Sequence, residues 1–247
     1  MPTSTLRLSP RFLASSYASL RAVRRPPTSP LDPVRMSGTV AGVNSKAERI
    51  RNPAIFICDI QEKFRPVIFE YPKLITTTIK LLKASKLLNV PVYITTQNRA
   101  RLGNTVSELS PYLDPSTNPN VRADLDKTLF SMVTPELKAS LPPQRLDVII
   151  VGIESHVCVT QTTLDLLALG HRVYVVADAV SSINPEERGI ALARLADAGA
   201  VVSTSESVLF EIMGDSNHSV FKQISGLVKE TGEDTKKALG VFCGSKI

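Results

Sequence analysis

The sequence predicts an α/β fold built on a mainly parallel β-sheet that helices cover on both faces. Two observations lead to this prediction. Short apolar runs, typical of buried strands, alternate along the chain with longer segments of helical periodicity. Gly170 and Gly199 directly follow two of the helical segments, where a helix often ends in a left-handed residue. Such alternation is typical of strand–helix–strand units, whose strands run parallel.

The first half of the predicted domain contains two strands, a helix and a long polar segment. Ala54–Asp59 and Pro91–Thr95 are short apolar runs and are predicted to be strands. Between them, Lys73–Leu88 places its leucines on one stripe, which indicates a helix. The segment Gln97–Asn120 is rich in Gly, Asn, Ser and Pro, and its length suggests a functional loop.

The second half continues the alternation. The predicted strands are Asp147–Ile153, Arg172–Ala177 and Ala200–Ser203, and the predicted helices are Cys158–Leu169, Glu186–Ala198 and residues 217–230. Open parallel sheets bind ligands outside the carboxyl ends of their strands, so a site is expected in the segments that follow the strands.

The composition of the 247 residues is that of a globular protein, with 43% hydrophobic and 21% charged residues. No apolar run is long enough for a membrane span, and three cysteines are too few for a disulfide framework, which favours a reducing compartment. The net charge of +6 suggests a nucleic-acid partner, but residues 1–35 hold six arginines and a single acid, Asp32. The rest of the chain is close to neutral, so we expect no nucleic-acid partner.

Residues 1–48 are predicted to be a disordered extension, residues 49–232 the folded domain, and residues 233–247 a C-terminal tail. The extension is rich in Arg and Ser and poor in acids, which is typical of a mitochondrial transit peptide. The alternatives are a cytoplasmic protein, with Met36 as a second start, or a peroxisomal one, since Ser245-Lys246-Ile247 is one step from the S-K-L signal.

Common cofactor and metal motifs are absent from the sequence. It has no G-x-G-x-x-G after the first strand and no G-x-x-x-x-G-K-[ST], which argues against a nicotinamide dinucleotide enzyme or a P-loop nucleotidase. The three histidines, His156, His171 and His218, have no ligand spacing, and there is no C-x-x-C. We therefore expect neither a cofactor nor a metal ion.

Two polar residues stand beside predicted strand ends. Asp59 closes the first strand, and a buried carboxylate costs free energy unless it has a partner or a task. Cys158 opens a predicted helix, whose N-terminal N–H groups favour a thiolate and can stabilise an oxyanion. The alternatives are a turn-forming aspartate and an inert buried thiol. Cys58 lies inside the first strand and is predicted to be a packing residue.

Three segments, in this order, resemble the isochorismatase-like (cysteine hydrolase) superfamily and, within it, the eukaryotic isochorismatase domain-containing proteins of type 2. They are Asp59-Ile60-Gln61-Glu62-Lys63-Phe64, Lys127-Thr128-Leu129-Phe130-Ser131 and Gly152-Ile153-Glu154-Ser155-His156-Val157-Cys158-Val159. The resemblance extends from about Asn52 to Lys229. It implies a three-layer α/β/α, Rossmann-like architecture with a six-stranded, mainly parallel sheet, and assembly into a homo-oligomer.

The resemblance also implies a catalytic triad of Asp59, Lys127 and Cys158. Cys158 would attack a carbonyl carbon as a thiolate, and Asp59 would act as general base and then general acid. Lys127, which would otherwise be read as a solvated lysine, would favour the thiolate and hold the carboxylate. The N–H groups of Glu154 and Cys158 would form the oxyanion hole, with a cis peptide between Ile153 and Glu154.

Two departures from family members narrow the expected reaction. Nicotinamidases carry a D-x-H-x-x-H metal motif, whereas Thr95–Arg101 contains no histidine, so metal-assisted nicotinamide hydrolysis is not expected. True isochorismatases lack the cysteine nucleophile. A metal-independent hydrolase of a small amide or carbamoyl compound is therefore expected, with Gln61, Phe64, Gln97 and His156 lining its pocket. The alternative is a non-catalytic scaffold that keeps the hydrolase fold.

Overall fold

One sheet of parallel strands organises the part of the chain that the computed structural model describes, residues 48–244. Its strands are β1 (Pro53–Cys58), β2 (Val92–Gln97), β3 (Val121–Lys127), β4 (Asp147–Ile153), β5 (Arg172–Ser181) and β6 (Val201–Ser203). They lie in the order β3-β2-β1-β4-β5-β6, and every pairing is parallel. This order confirms the predicted Rossmann-like sheet of six strands.

Helices cover both faces of this sheet. They are α1 (Tyr71–Leu88), α2 (Arg99–Leu102), α3 (Ser110–Leu113), α4 (Pro135–Ser140), α5 (Thr160–Ala168), α6 (Pro185–Asp197), α7 (Ser205–Met213), α8 (Phe221–Glu230) and α9 (Gly232–Phe242). Helices α1, α7, α8 and α9 contribute to the core on one face, and α4, α5 and α6 to the core on the other. The predicted three-layer α/β/α architecture is therefore confirmed.

The central strand β1 contributes to both cores because successive side chains of a strand point to opposite faces. Ile55 and Ile57 pack on the α1 side, whereas Ala54, Phe56 and Cys58 pack on the α5 side. All five are buried. A strand covered on both faces has no polar side to show, which is why the sequence of β1 is an unbroken apolar run.

Strand β3 was not predicted as a strand. It directly follows Gln97–Asn120, the segment that the sequence marks as a long polar loop and that contains the short helices α2 and α3. Because β3 is an edge strand, its side chains alternate between half-buried and exposed and include Arg122, Asp124 and Asp126. Charges are typical of strand edges, where they discourage pairing with another chain, but they hide the apolar signal of a strand.

The predicted C-terminal tail, residues 233–247, is corrected by the structure. Helix α9 packs against the α1 side of the sheet and buries Ala238 and Phe242 in its core. The Arg188 guanidinium lies over the Phe242 ring and donates to the Phe242 carbonyl, while Lys80 of α1 donates to Thr235. The folded domain therefore extends to the end of α9.

At the amino ends of the strands, Asp147 holds the start of the domain. Its carboxylate accepts the N–H groups of Arg51 and Asn52 and the Nε–H of Arg172. Although burial opposes the charged form, these backbone bonds and the Arg172 guanidinium keep the pKa of Asp147 below its usual value.

Residues 1–47 of the predicted extension and the Ser245-Lys246-Ile247 end lie outside the described residues. Within residues 48–244, no helix is long and apolar enough to cross a membrane.

Candidate active site

Asp59 follows β1 at the carboxyl edge of the sheet and adopts a left-handed conformation, with φ of 56°. Its side chain is 1% exposed, and both carboxylate oxygens are engaged. Thr95, near the end of β2, donates to Oδ1 over 2.8 Å, and Lys127 Nζ donates to Oδ2 over 2.7 Å. The buried Asp59 carboxylate therefore has a charged and a neutral hydrogen-bond donor as partners.

Lys127 is the last residue of β3, and its side chain is fully buried against Asp59. Besides the Asp59 carboxylate, Nζ donates to Gln97 Oε1 over 2.7 Å and to the carbonyls of Leu129 and Phe130 over 3.1 Å each. A buried ammonium is tolerated only when oxygen acceptors replace its water shell. The structure thus places Lys127 in the site rather than on a solvated face.

Cys158 lies in a π-helical turn, Ser155–Val159, that leads into α5. The residue is 6% exposed and packs in the same buried core as Cys58, the last residue of β1. Cys58 in turn donates to Asp59 Oδ2 over 3.5 Å. The two thiols, the carboxylate and the ammonium form one continuous buried cluster.

The pKa of the Cys58 thiol is raised well above its usual value. Burial is the main cause, followed by its hydrogen bond with Cys158 and by the negative charge of Asp59. Cys58 is therefore held as a neutral thiol beside the candidate nucleophile.

The turn before Cys158 is made by Glu154 and not by a cis peptide. The described residues contain no cis peptide bond, so the predicted cis bond between Ile153 and Glu154 is wrong. Instead, Glu154 is left-handed, with φ of 55°, and Gly152 has φ of 138°. The Glu154 carbonyl accepts the N–H groups of Val157 and Val159, over 2.9 and 3.3 Å.

Gly152 lets β4 approach β1 closely at the site. A Cβ atom on this residue would lie 2.2 Å from the Cys58 carbonyl oxygen and 2.7 Å from the Cys58 Cβ. Since its positive φ also disfavours other residues, only glycine fits here without a shift of the backbone. Gly152 therefore sets the distance between the two strands that carry Cys58 and the nucleophile turn.

Glu154 and His156 lie beside the nucleophile turn. Burial raises the pKa of Glu154, and its carboxylate accepts the Ile183 N–H and lies 3.3 Å from His156 Nδ1. His156 also contacts the Ser182 hydroxyl at 3.2 Å, and its side chain is 29% exposed. His156 is thus at the surface of the site, as a pocket-lining role requires.

The other three residues predicted to line the pocket have different positions. Gln61, whose contact with a substrate stays a prediction, is fully buried, and its amide bonds to backbone groups of Gln97 and Gly103. Its task is to tie the turn after β1 to the loop after β2. Gln97 holds Lys127 and the Thr128 carbonyl, and Phe64 packs against the α1-side core.

One cavity among the described residues adjoins the cluster, and a larger one shares no lining residue with it. A cavity of about 330 Å³ adjoins Lys127 and is lined also by Thr128, Leu129 and the start of α4. A larger one of about 570 Å³ lies between α1, α3 and α8. Cys158 lines neither of them. Within residues 48–244, no three His, Cys, Asp or Glu side chains are grouped so as to hold a metal ion.

Sequence reasoning missed two residues of the site, Cys58 in the cluster and Thr95 beside it. Cys58 is predicted only as a packing residue, and Thr95 is predicted only as part of a strand. The usable signal for both is position, because Cys58 ends β1, which pairs with β4, and Thr95 lies opposite Cys58 near the end of β2. The strand-end rule that points to Asp59 applies equally to them.

Comparison with known proteins gives a consistent result. The isochorismatase domain model matches residues 53–207. The chain is 44% identical over 199 residues to a secreted isochorismatase effector, Isc1, of Phytophthora sojae, covering 77% of this chain and 93% of that protein. It is 43% identical over 192 residues to human isochorismatase domain-containing protein 2, covering 77% and 89%.

The same relationship holds in three dimensions. A solved Caenorhabditis elegans structure, described as MAR1 ribonuclease, superposes with a TM-score of 0.69 at 41% identity, covering 74% of this chain and 93% of that one. The matched segment contains Asp59, Lys127 and Cys158. On sequence and on structure, the chain belongs to the isochorismatase family.

Proposed function

We propose that this protein is a metal-independent cysteine hydrolase that cleaves the C–N bond of a small amide or carbamoyl compound. One observation carries the proposal: a fully buried Lys127–Asp59 ion pair at 2.7 Å lies in the same cluster as the Cys158 thiol, at the carboxyl edge of the sheet. Burying two charges costs free energy, and such pairs recur where chemistry needs them.

In the proposed reaction, Cys158 gives its proton to Asp59 and attacks the carbonyl carbon as a thiolate. Backbone N–H groups of the nucleophile turn, those of Glu154 and Cys158, stabilise the oxyanion. The C–N bond then breaks, and Asp59 returns the proton to the leaving amine. Water attacks the thioester with Asp59 again as base, which releases the acid and restores the thiol.

Lys127 has a positioning role in this scheme. Its ammonium fixes the Asp59 carboxylate and stabilises negative charge on the neighbouring thiol. The carbonyls of Leu129 and Phe130 and the amide of Gln97 keep the ammonium in place.

Selective alkylation tests the nucleophile. We expect iodoacetamide at pH 6.5 to modify Cys158 faster than free cysteine, and the modification to disappear in Cys158→Ala. Peptide mass spectrometry reads each cysteine separately, so the exposed Cys243 is an internal control. A Cys158 thiol that reacts no faster than free cysteine contradicts the proposal.

A screen of small amides, ureides and carbamoyl compounds for ammonia release tests the substrate class. The release should require Cys158 and persist in Cys243→Ser. The same preparations should be incubated with RNA, because the C. elegans relative is described as a ribonuclease. Cys158-dependent RNA cleavage without ammonia release would replace the proposed substrate class. A protein that does neither would favour the scaffold alternative.

We also propose that the protein forms a homo-oligomer. Leu129 and Phe130 are 54% and 52% exposed although their carbonyls hold Lys127, so an apolar surface adjoins the site. Light scattering of the purified chain should give a mass that is a multiple of 26.8 kDa. A Phe130→Asp variant should shift it toward the monomer; a monomeric wild-type chain would contradict this proposal.

A further inference from the structure

The active-site cluster contains a second thiol that the proposed reaction does not use. Cys58 is fully buried at the end of β1 and packs in the same core as Cys158, whose thiol helps to raise the pKa of Cys58. The two residues are far apart in the sequence and come together because β1 pairs with β4, whose end leads into the nucleophile turn. Gly152, opposite Cys58 in this pairing, permits the close approach.

The surroundings of Cys58 include a carboxylate as well as apolar side chains. Most of its neighbours belong to the α5-side core, and an alanine or valine would satisfy packing alone. Yet its sulfur also lies 3.5 Å from Asp59 Oδ2. A thiol between a reactive thiolate and a carboxylate has both a target for attack and an acceptor for its own proton.

We propose that Cys58 is a resolving cysteine, which converts peroxide-oxidised Cys158 into an intramolecular disulfide. This inference rests on the same reactive Cys158 thiolate as the proposed function, but it adds a modification that the hydrolytic reaction does not need.

The chemistry balances with a hydroperoxide as the oxidant. The Cys158 thiolate attacks the distal peroxide oxygen, the O–O bond breaks, and the leaving oxygen takes a proton to give water or an alcohol. Cys158 is then a sulfenic acid. Cys58 gives its proton to Asp59 and attacks the Cys158 sulfur, the S–O bond breaks, and the departing hydroxide takes that proton as water.

The disulfide would protect the nucleophile and suspend its activity. A sulfenic acid without a neighbouring thiol can be oxidised further to a sulfinic acid, which common thiol reductants do not reverse. With Cys58 adjacent, Cys158 is instead stored in a form that a dithiol restores. The hydrolase would then lose activity under peroxide and recover it on reduction.

Mass spectrometry of the full-length protein tests the inference. The wild-type chain is treated with stoichiometric hydrogen peroxide, blocked with N-ethylmaleimide and digested without reductant. We expect the Cys58 and Cys158 peptides to be joined, lighter than the free thiol peptides by two hydrogen atoms, and separated again by dithiothreitol. The matched control Cys243→Ser should give the same linked peptide.

Cys58→Ala should abolish the link and raise the sulfinic form of Cys158 several-fold at the same peroxide dose. Thermal melting shows whether this variant is folded, and Cys58→Ser provides a second version of the same test. The wild-type result decides the question even if both variants unfold.

Two outcomes overturn the inference. One is a wild-type Cys158 that becomes sulfinic as fast as in Cys58→Ala, with no linked peptide. The other is a disulfide that forms only through Cys243. Alkylation of the untreated protein at pH 6.5 separates the two proposals: rapid modification of Cys158 without a link rejects only the resolving role, whereas an unreactive Cys158 rejects both.

Discussion

At the scale of single residues, the Lys127–Asp59 pair is the most consequential feature of the molecule. Each side chain is the counter-ion of the other, whose charge would otherwise be buried without a partner. The pair is surrounded by neutral acceptors and donors, Thr95, Gln97 and two carbonyls, which complete its hydrogen bonds. Removing one charge therefore leaves the other buried and unpaired.

Lys127→Met should lower the free energy of unfolding by about 3–5 kcal/mol, since it leaves the Asp59 carboxylate buried and unpaired. Urea unfolding at neutral pH measures the change. The double variant Asp59→Asn/Lys127→Met removes both charges and should recover a substantial part of the loss. Equal stability of the wild type and Lys127→Met would mean that the pair is not buried in solution.

The residues around this pair differ in how far the sequence alone identifies them. Asp59 and Cys158 follow from the rule that ligands bind at the carboxyl ends of parallel strands. Lys127 was found only by family resemblance, because the charged edge strand that carries it has no apolar signal. Gln61 was placed in the pocket, but its amide satisfies backbone groups of a loop, and such pairing depends on tertiary structure that one sequence does not show.

At the scale of elements, the junction of β1 with β4 determines the geometry of the site. The second-last residue of β4 is a glycine of positive φ, and the strand leads into the π-helical turn that carries Cys158. Irregular helical turns of this kind are frequent at functional sites. The sequence predicts a regular helix beginning at Cys158, since no local pattern distinguishes a π turn from the start of an α-helix.

Gly152→Ala tests this junction. The added methyl would meet the Cys58 carbonyl at 2.2 Å, so we expect the free energy of unfolding to fall by about 3 kcal/mol or more. The matched control is Gly189→Ala on α6, where a Cβ meets nothing within 4 Å. It should leave stability unchanged or raise it by up to about 1 kcal/mol. Similar losses in the two variants would contradict the steric argument.

At the scale of the whole molecule, the three layers were predictable and the limits of the domain were not. Alternating apolar and helical segments specify a covered parallel sheet, because each element must bury its apolar side. The sequence predicts a tail at the end of the chain, since α9 begins with polar residues and shows its role only through Ala238, Phe242 and the bond between Thr235 and Lys80. Mitochondrial import stays a prediction from the composition of residues 1–35.

Truncation tests the corrected domain boundary. Ending the chain before Gly232 removes α9 and the buried Phe242 ring, whose loss alone is worth about 3–5 kcal/mol. We expect a strongly destabilised or insoluble protein. Ending it after Gly244 removes only Ser245-Lys246-Ile247 and should leave the melting temperature unchanged. Equal stability of both truncated chains would show that α9 is dispensable for folding.

The hydrogen bonds of Asp147 and Arg172 with the first residues of the domain have a practical consequence. These contacts lie at the amino ends of β4 and β5, whereas Asp59, Lys127 and the nucleophile turn lie at the carboxyl ends. A strand of six residues separates the two edges by roughly 20 Å. A tag, a fusion partner or a solid support joined just upstream of Glu48 is therefore attached on the far side of the sheet from the candidate nucleophile. Immobilising the protein through this point should leave the cluster free for reagents and substrates.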